Sequence, residues 1–196
     1  MPADARLVLA SASPRRRDLL TRIGFPPDAV SPTDIDETEE PGELPRALAL
    51  RLTLAKLAAA TGHDGAYVLA SDTVVGVGRR ILPKTETEEE ARACLALLSG
   101  RNHRVFTGVA VRGPDGRAAH RLSMTRVAVK RLSAQEIDEY IASGEWQGKA
   151  GGYGIQGRFG AHILQITGSC TGVMGLPVYE TRQLLVGLGY RPRSAG

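Results

Sequence analysis

Short apolar runs alternate with helical patterns along this chain, and that alternation restricts its fold more than any other feature. Arg6-Leu-Val-Leu-Ala10 has the length of a buried strand, and Ser11-Ala-Ser-Pro14 turns it at once into a helical pattern carried by Leu19, Leu20 and Ile23. Ser13 fits an N-cap, Pro14 fits the first helical position, and Gly24 supplies the stop. Leu48, Leu52, Ala55 and Ala59 predict a second helix over residues 45–60. A strand beginning at Tyr67 continues through Asp72 into Val74 and Val75, and residues 76–80 turn it into Ile81-Leu82. Thr87 with Glu90, and Ser133 with Glu136, form capping boxes for helices through Leu98 and Ile141. Strands over residues 105–111 and 123–129 flank the Gly113-Pro-Asp-Gly116 turn, a last strand covers 162–166, and a last helix covers 179–188. Hairpin turns beside helical crossovers predict an α/β fold with a mixed twisted sheet flanked by helices, in one domain over residues 1–196.

Length and charge remove several function classes. A chain of 196 residues, 42% hydrophobic, buries roughly 70% of the surface its unfolded form exposes, so it needs no metal or disulfide to fold. Cys94 and Cys170 lie far apart, outside any CxxC pair and without a His at ligand spacing, so both read as buried or inert thiols, and nothing points to an oxidising compartment. No apolar run reaches roughly 18 residues, and the stretch in MPADARLVLA is too short for a signal peptide. A soluble cytoplasmic chain with no membrane partner is expected. The net charge of +4 is too mild to establish nucleic-acid binding, and five Tyr, three Phe and one Trp with no continuous basic stripe argue against it. Six of the 21 acids fall within residues 34–43 and four more within 86–90, so the remaining surface favours local anion sites.

Three segments carry the chemistry. Arg15 and Arg16 fall in the first turn of the first helix, where the macrodipole disfavours a cation by roughly 0.3–1 kcal/mol. Unpaired helix-start N–H groups, the Ser11 and Ser13 hydroxyls and two planar guanidinium groups make a cradle suited to phosphate. Asp72 stands inside an apolar strand, where a carboxylate is costly unless it is paired, hydrogen-bonded or metal-bound; it reads either as a cap of the neighbouring turn or as a group that binds a divalent cation or takes a proton from water. A hard divalent cation beside triphosphate oxygens needs only one or two protein carboxylates, so Asp36 or Glu37 from the acidic loop over residues 34–40 would suffice beside Asp72. Lys56 and Lys84 each read as surface lysines alone, but both lie near segments converging on one sheet edge, which points to phosphate neutralisation.

The third segment, residues 144–160, holds seven glycines. That density permits close backbone approach to a ligand at an entropic cost a plain connector has little reason to carry. It is neither a GxxxxGK[ST] loop nor a GxGxxG turn. Within it, Lys149 offers a cation, Tyr153 a ring, and Gln156 an amide that both donates and accepts, as a pyrimidine edge requires. His63, His103, His120 and His162 show no ligand spacing, and no nucleophile elbow stands out, so covalent catalysis is not expected.

The blocks LVLASASPRR, DIDET, RLTLAK, SDTVV, ILPK, LSGRNHRVFTGV, SGEWQGKAGGYGIQG and GLP, in this order, resemble the Maf family of nucleoside triphosphate pyrophosphatases over nearly the whole chain. The resemblance implies a mixed α/β fold related to inosine triphosphate pyrophosphatases, with a cleft between two lobes, usually in a homodimer. It implies a hydrolase that uses Mg²⁺ or Mn²⁺ to cleave nucleoside triphosphates to monophosphate and pyrophosphate, a house-cleaning role in nucleotide pools. On matching positions Asp72 is the proton acceptor, Glu37 the acid of the DE pair joining it at the metal, and Lys56 and Lys84 the phosphate-side lysines. Arg15, Thr73 and Gln156 match positions associated with base selection. SPRR and the GKAGxYxIQG loop resemble the dTTP- and UTP-hydrolysing branch. Ser71 stands where Ala is common, and Cys170-Thr-Gly172 replaces a Tyr-x-Asn pattern before Gly175-Leu-Pro177.

Two other readings share parts of this pattern. Family members are linked to septum formation, so a division regulator acting by binding is one. A pyrophosphatase for non-standard purine triphosphates is the other, with the same fold and metal but without the loop from Lys149 to Gln156. The expected mechanism has Ser11, Ser13, Arg15 and Arg16 holding the triphosphate, Lys56, Lys84 and the metal neutralising the leaving group, and Asp72 with Glu37 activating water.

Overall fold

The computed structural model describes residues 5–192 and is built on one seven-stranded sheet. Strand β1 (Leu7–Leu9) turns into α1 (Pro14–Arg22), returns as the two-residue β2 (Ala29–Val30), and leads through residues 31–44 to α2 (Pro45–Ala59). The long β3 (Tyr67–Val77) folds back as β4 (Arg80–Leu82), and α3 (Glu88–Leu98) precedes the hairpin of β5 (Asn102–Arg112) and β6 (Ala118–Val129). After α4 (Ala134–Ala142) the glycine-rich stretch ends in a 3-10 turn (Arg158–His162), followed by β7 (Ile163–Thr167), the single-turn α5 (Cys170–Val173) and α6 (Val178–Gly187). The strand order is β2-β1-β3-β5-β6-β7, with β4 on β3. β1 runs parallel to β2 and β3, and the other pairs are antiparallel. This is the mixed sheet flanked by helices that the alternation predicts.

Period-two alternation along β3 divides the core between the faces of the sheet. Tyr67 and Leu69 pack with Leu19, Leu20, Leu184 and Leu185 of α1 and α6. Val68, Ala70 and Val74 face α2, meeting Leu57 and Ala60 at one end and Leu48 and Leu52 at the other. A separate body of core, with Leu95, Leu98, Tyr140, Trp146 and Phe159 at its centre, lies under α3, α4 and the glycine-rich stretch and reaches β3 at Val75. β1 pairs with β3 at Tyr67–Leu69 and β4 pairs with it at Val75–Val77, so residues 70–74 have a strand neighbour only on the β5 side. That gap in the sheet edge, between two bodies of core, opens a cleft.

α2 approaches β5 closely, and Gly108 permits it. A Cβ at Gly108 would stand 2.2 Å from Thr53 Oγ1 and 3.1 Å from the Ala49 carbonyl oxygen. Thr53 cannot swing away freely, because it is β-branched and its buried hydroxyl donates to that carbonyl at 2.7 Å. Gly108→Ala is expected to destabilise the fold by about 1–3 kcal/mol through overpacking. A lowered urea midpoint, partly recovered by adding Thr53→Ala, is the expected reading, and an unchanged midpoint contradicts it.

The capping boxes of α3 and α4 form as predicted, with Thr87 bonded to Glu90 and Ser133 to Glu136. Ser13 occupies the N-cap of α1 but its side chain makes no capping bond. The sequence pattern does not predict β2 or α5, because two residues of strand and four of helix span only about one period and show no repeat. β5 and β6 extend beyond the predicted 105–111 and 123–129, because cross-strand pairing carries polar residues such as Asn102 and His120 into the ladder.

Candidate active site

All eleven candidate side chains line one cleft of about 410 Å³: Ser11, Ser13, Arg15, Arg16, Glu37, Lys56, Asp72, Thr73, Lys84, Lys149 and Gln156. Its floor is the uncovered part of β3. Asp72, 3% exposed, points to the α2 side and pairs with Lys56, which sits one helical turn beyond Thr53. Lys56 Nζ also lies 2.6 Å from Glu37 Oε1, and Lys84 pairs with the other Glu37 oxygen. Burial works against the Glu37 charge, but the bonds from Lys56 and Lys84 outweigh it and hold the carboxyl below its ordinary range. Asp72, Lys56, Glu37 and Lys84 thus form one continuous chain of alternating charge.

The other carboxylate considered for this role, Asp36, does not join it. Its Oδ1 accepts from the Thr38 N–H at 2.9 Å, and the residue is exposed. Among the described residues no three His, Cys, Asp or Glu side chains come together to hold an ion. Asp72 and Glu37 are nevertheless hard oxygen donors, and one or two carboxylates are what Mg²⁺ or Mn²⁺ takes when phosphate and water supply the remaining ligands. The donor set fits a cation that arrives with a polyphosphate.

The wall at the start of α1 is braced by Arg16. Its Nε donates to the Gly175 carbonyl at 2.8 Å, Nη1 to Ser11 Oγ at 2.9 Å, and Nη2 to Thr73 Oγ1 at 3.4 Å. Ser11 Oγ also accepts from the Ser13 N–H, and Thr73 Oγ1 lies 3.1 Å from Thr107 Oγ1. Arg16, expected as a phosphate ligand, therefore has much of its fork committed to holding three segments of the cleft together. Arg15 makes no hydrogen bond or ion pair among the described residues, and neither do the side-chain ends of Ser13, Lys149 and Gln156. Burial first, and then the nearby Arg15 cation, hold the Lys149 ammonium below its ordinary value, with Glu145 opposing.

The glycine-rich stretch is less free than its composition suggests. Gly148 N–H donates to the Thr85 carbonyl at 2.9 Å, Thr85 N–H to the Lys149 carbonyl at 3.2 Å, and Gly151 N–H to the Pro83 carbonyl at 2.9 Å. This pairing, with an antiparallel bridge between Lys84 and Ala150, sets Lys84 and Lys149 on neighbouring backbones at the cleft. Gly151 has φ +69°, and a Cβ there would come within 3.0 Å of Val75 Cγ1, so both conformation and packing require glycine.

A sequence model of the family described as Maf-like protein matches residues 6–188. The chain belongs to the Maf family. A dTTP/UTP pyrophosphatase of Maricaulis maris (strain MCS10) is 69% identical over 94% of this chain and 89% of its own length. A dTTP/UTP pyrophosphatase of Caulobacter vibrioides is 61% identical over 98% of this chain and 100% of its own. Among solved structures, a HAM1 protein from Coxiella burnetii aligns with a TM-score of 0.47 at 16% identity, over 81% of this chain and 91% of that one.

The departures from the Maf pattern fall around this site. Ser71 is buried with its Oγ 2.7 Å from the Gly108 carbonyl and 3.0 Å from the Gly175 carbonyl, so it ties β3 to β5 and to the turn after α5. Cys170, Thr171 and Gly172 lie in α5, capped by Ser169, whose Oγ accepts from the Gly172 N–H at 2.9 Å. Val173 to Gly175 line the cleft, whereas Cys170 does not. Thr33 is a site residue that the sequence alone does not mark. It lines the cleft, and its buried Oγ1 has no partner among the described residues, but an isolated Thr in a polar loop gives no sequence signal.

Proposed function

We propose that this chain hydrolyses dTTP and UTP to the nucleoside monophosphate and pyrophosphate, cleaning nucleotide pools. The observation that carries the reading is the convergence of all eleven candidate side chains on one cleft, in a chain whose relatives at 52–69% identity are named dTTP/UTP pyrophosphatase. In this reading Arg15 and Ser13, unpaired among the described residues, bind phosphate oxygens, Arg16 orients the Ser11 turn, and Lys149 stands with Gln156 at the base end. Lys56 and Lys84 shift from Glu37 towards the charge that develops on the leaving pyrophosphate. Asp72 takes a proton from the attacking water as its oxygen bonds to the α-phosphorus and the bond to the α–β bridging oxygen breaks. Asp72 and Glu37 would hold Mg²⁺ or Mn²⁺, which supplies polarisation of the phosphoryl oxygens when bound. Gln156 reads the pyrimidine edge with its two-way amide, and Thr73 and Arg15 support it.

Among the described residues no helix is long and apolar enough to cross a membrane. A cytoplasmic setting and a homodimer accompany the proposal as expectations from the family. No observation favours the division-regulator or purine readings. The test is a product assay with dTTP, UTP, dCTP, dATP and dGTP in the presence of Mg²⁺. Monophosphate and pyrophosphate, formed fastest from dTTP and UTP, are expected; diphosphate with orthophosphate would refute the bond selection.

A further inference from the structure

His103 takes no part in the chemistry above, yet it is among the most buried polar residues, 2% exposed on β5. Its Nε2 lies 2.7 Å from the Tyr153 hydroxyl, and the two rings meet edge-on with centroids 5.4 Å apart. Its Nδ1 is buried with no partner among the described residues, so Tyr153 is the ring's polar contact there. An apolar pair of the same shape would avoid that unsatisfied nitrogen. What the polar pair adds is direction: a hydrogen bond fixes where the Tyr153 ring stands, whereas apolar contact alone lets it slide.

Tyr153 belongs to the glycine-rich stretch and lines the cleft. Its ring lies tilted against Phe159 with centroids 4.7 Å apart, Phe159 meets Tyr140 edge-on at 5.1 Å, and the Tyr140 hydroxyl accepts from the Gly154 N–H at 3.2 Å. Two successive residues of the rim are thus tied by polar bonds into the core beneath. A Cβ on Gly154 would stand 3.0 Å from Lys149 Cε and 3.3 Å from Gln156 Nε2, so those two side chains straddle the tied point.

We infer that His103 is a positioning residue: through the Tyr153 hydroxyl it fixes the rim segment that presents Lys149 and Gln156, and so sets affinity for the base end of the nucleotide. The inference deepens the nucleotide reading and rests on it. Tyr153→Phe removes the hydroxyl and keeps the ring. It is expected to raise KM for dTTP and UTP about fivefold to tenfold while kcat changes less than about twofold. Inhibition by pyrophosphate, which has no base, should also stay within about twofold. His103→Leu should behave the same way, and His103→Gln, whose amide reaches the Nε2 position, should recover most of the affinity. Unchanged KM in Tyr153→Phe overturns the inference. So does a common loss of kcat, KM and pyrophosphate inhibition, which would mark general loosening. Failure of the underlying reading shows separately, in a wild-type protein that releases no pyrophosphate from any nucleotide, and takes this inference with it.

Discussion

Asp72→Asn should lower kcat by about 10²–10⁴-fold, the range expected when a positioned general base is removed, with KM within a few-fold of wild type. Asn preserves the shape of the side chain and an oxygen that accepts from Lys56. Lys56 is not stranded by the change, because Glu37 Oε1 remains 2.6 Å away. The variant is therefore expected to keep its fold and its phosphate-binding groups and to lose the carboxylate proposed to take the proton. Steady-state pyrophosphate release, with nucleotide binding measured in parallel, separates the two quantities. Retained turnover would remove Asp72 from the mechanism.

The second large effect is on stability. Burial pushes the His103 imidazole down from 6.5 to about 4, with no charged group contributing. The unfolded chain therefore takes up a proton on His103 between these values that the folded chain refuses, and stability falls as pH is lowered through that window. The loss accumulates from about pH 6.5 to about pH 4 and is on the order of 3 kcal/mol. Glu136 acts in a different window. The Lys130 bond, followed by the Ser133 N–H, holds it at about 2, so its contribution is lost at more acid pH. Urea unfolding at pH 7 and pH 4.5, compared between wild type and His103→Gln, isolates the histidine. A variant with the same pH slope as wild type would contradict this account.

Elements that repeat their pattern over several periods, or carry a local capping signal, are legible in the sequence. The two capping boxes, the Ser-Pro start of α1 and the apolar run of β3 each carry a local signal that tertiary packing did not override. Asp72 was legible as a charge in an apolar strand, and the arginines of α1 as cations at the wrong end of a dipole. The pairing of residues 148–151 with Pro83–Thr85 was not, because main-chain bonds between distant segments leave no trace in residue type. His103 has no ligand spacing to mark it, because its role depends on a tyrosine 50 positions away. Arg16 was legible as a cation near phosphate, but not as the brace that reaches Gly175, 159 positions on.

The chain of alternating charge through Asp72, Lys56, Glu37 and Lys84 has a consequence for which anions the cleft admits. Both lysines already have carboxylate partners, so any anion approaching them competes with Glu37 for each contact it gains. A weakly charged ion such as orthophosphate exchanges one ion pair for another and gains little. On the proposed reading, a triphosphate would reach these lysines while also engaging Arg15 and the helix start of α1, contacts that displace no carboxylate. On that reading, contact with these two lysines is therefore expected to favour a long polyanion, whose other contacts offset the loss of Glu37, over a short one.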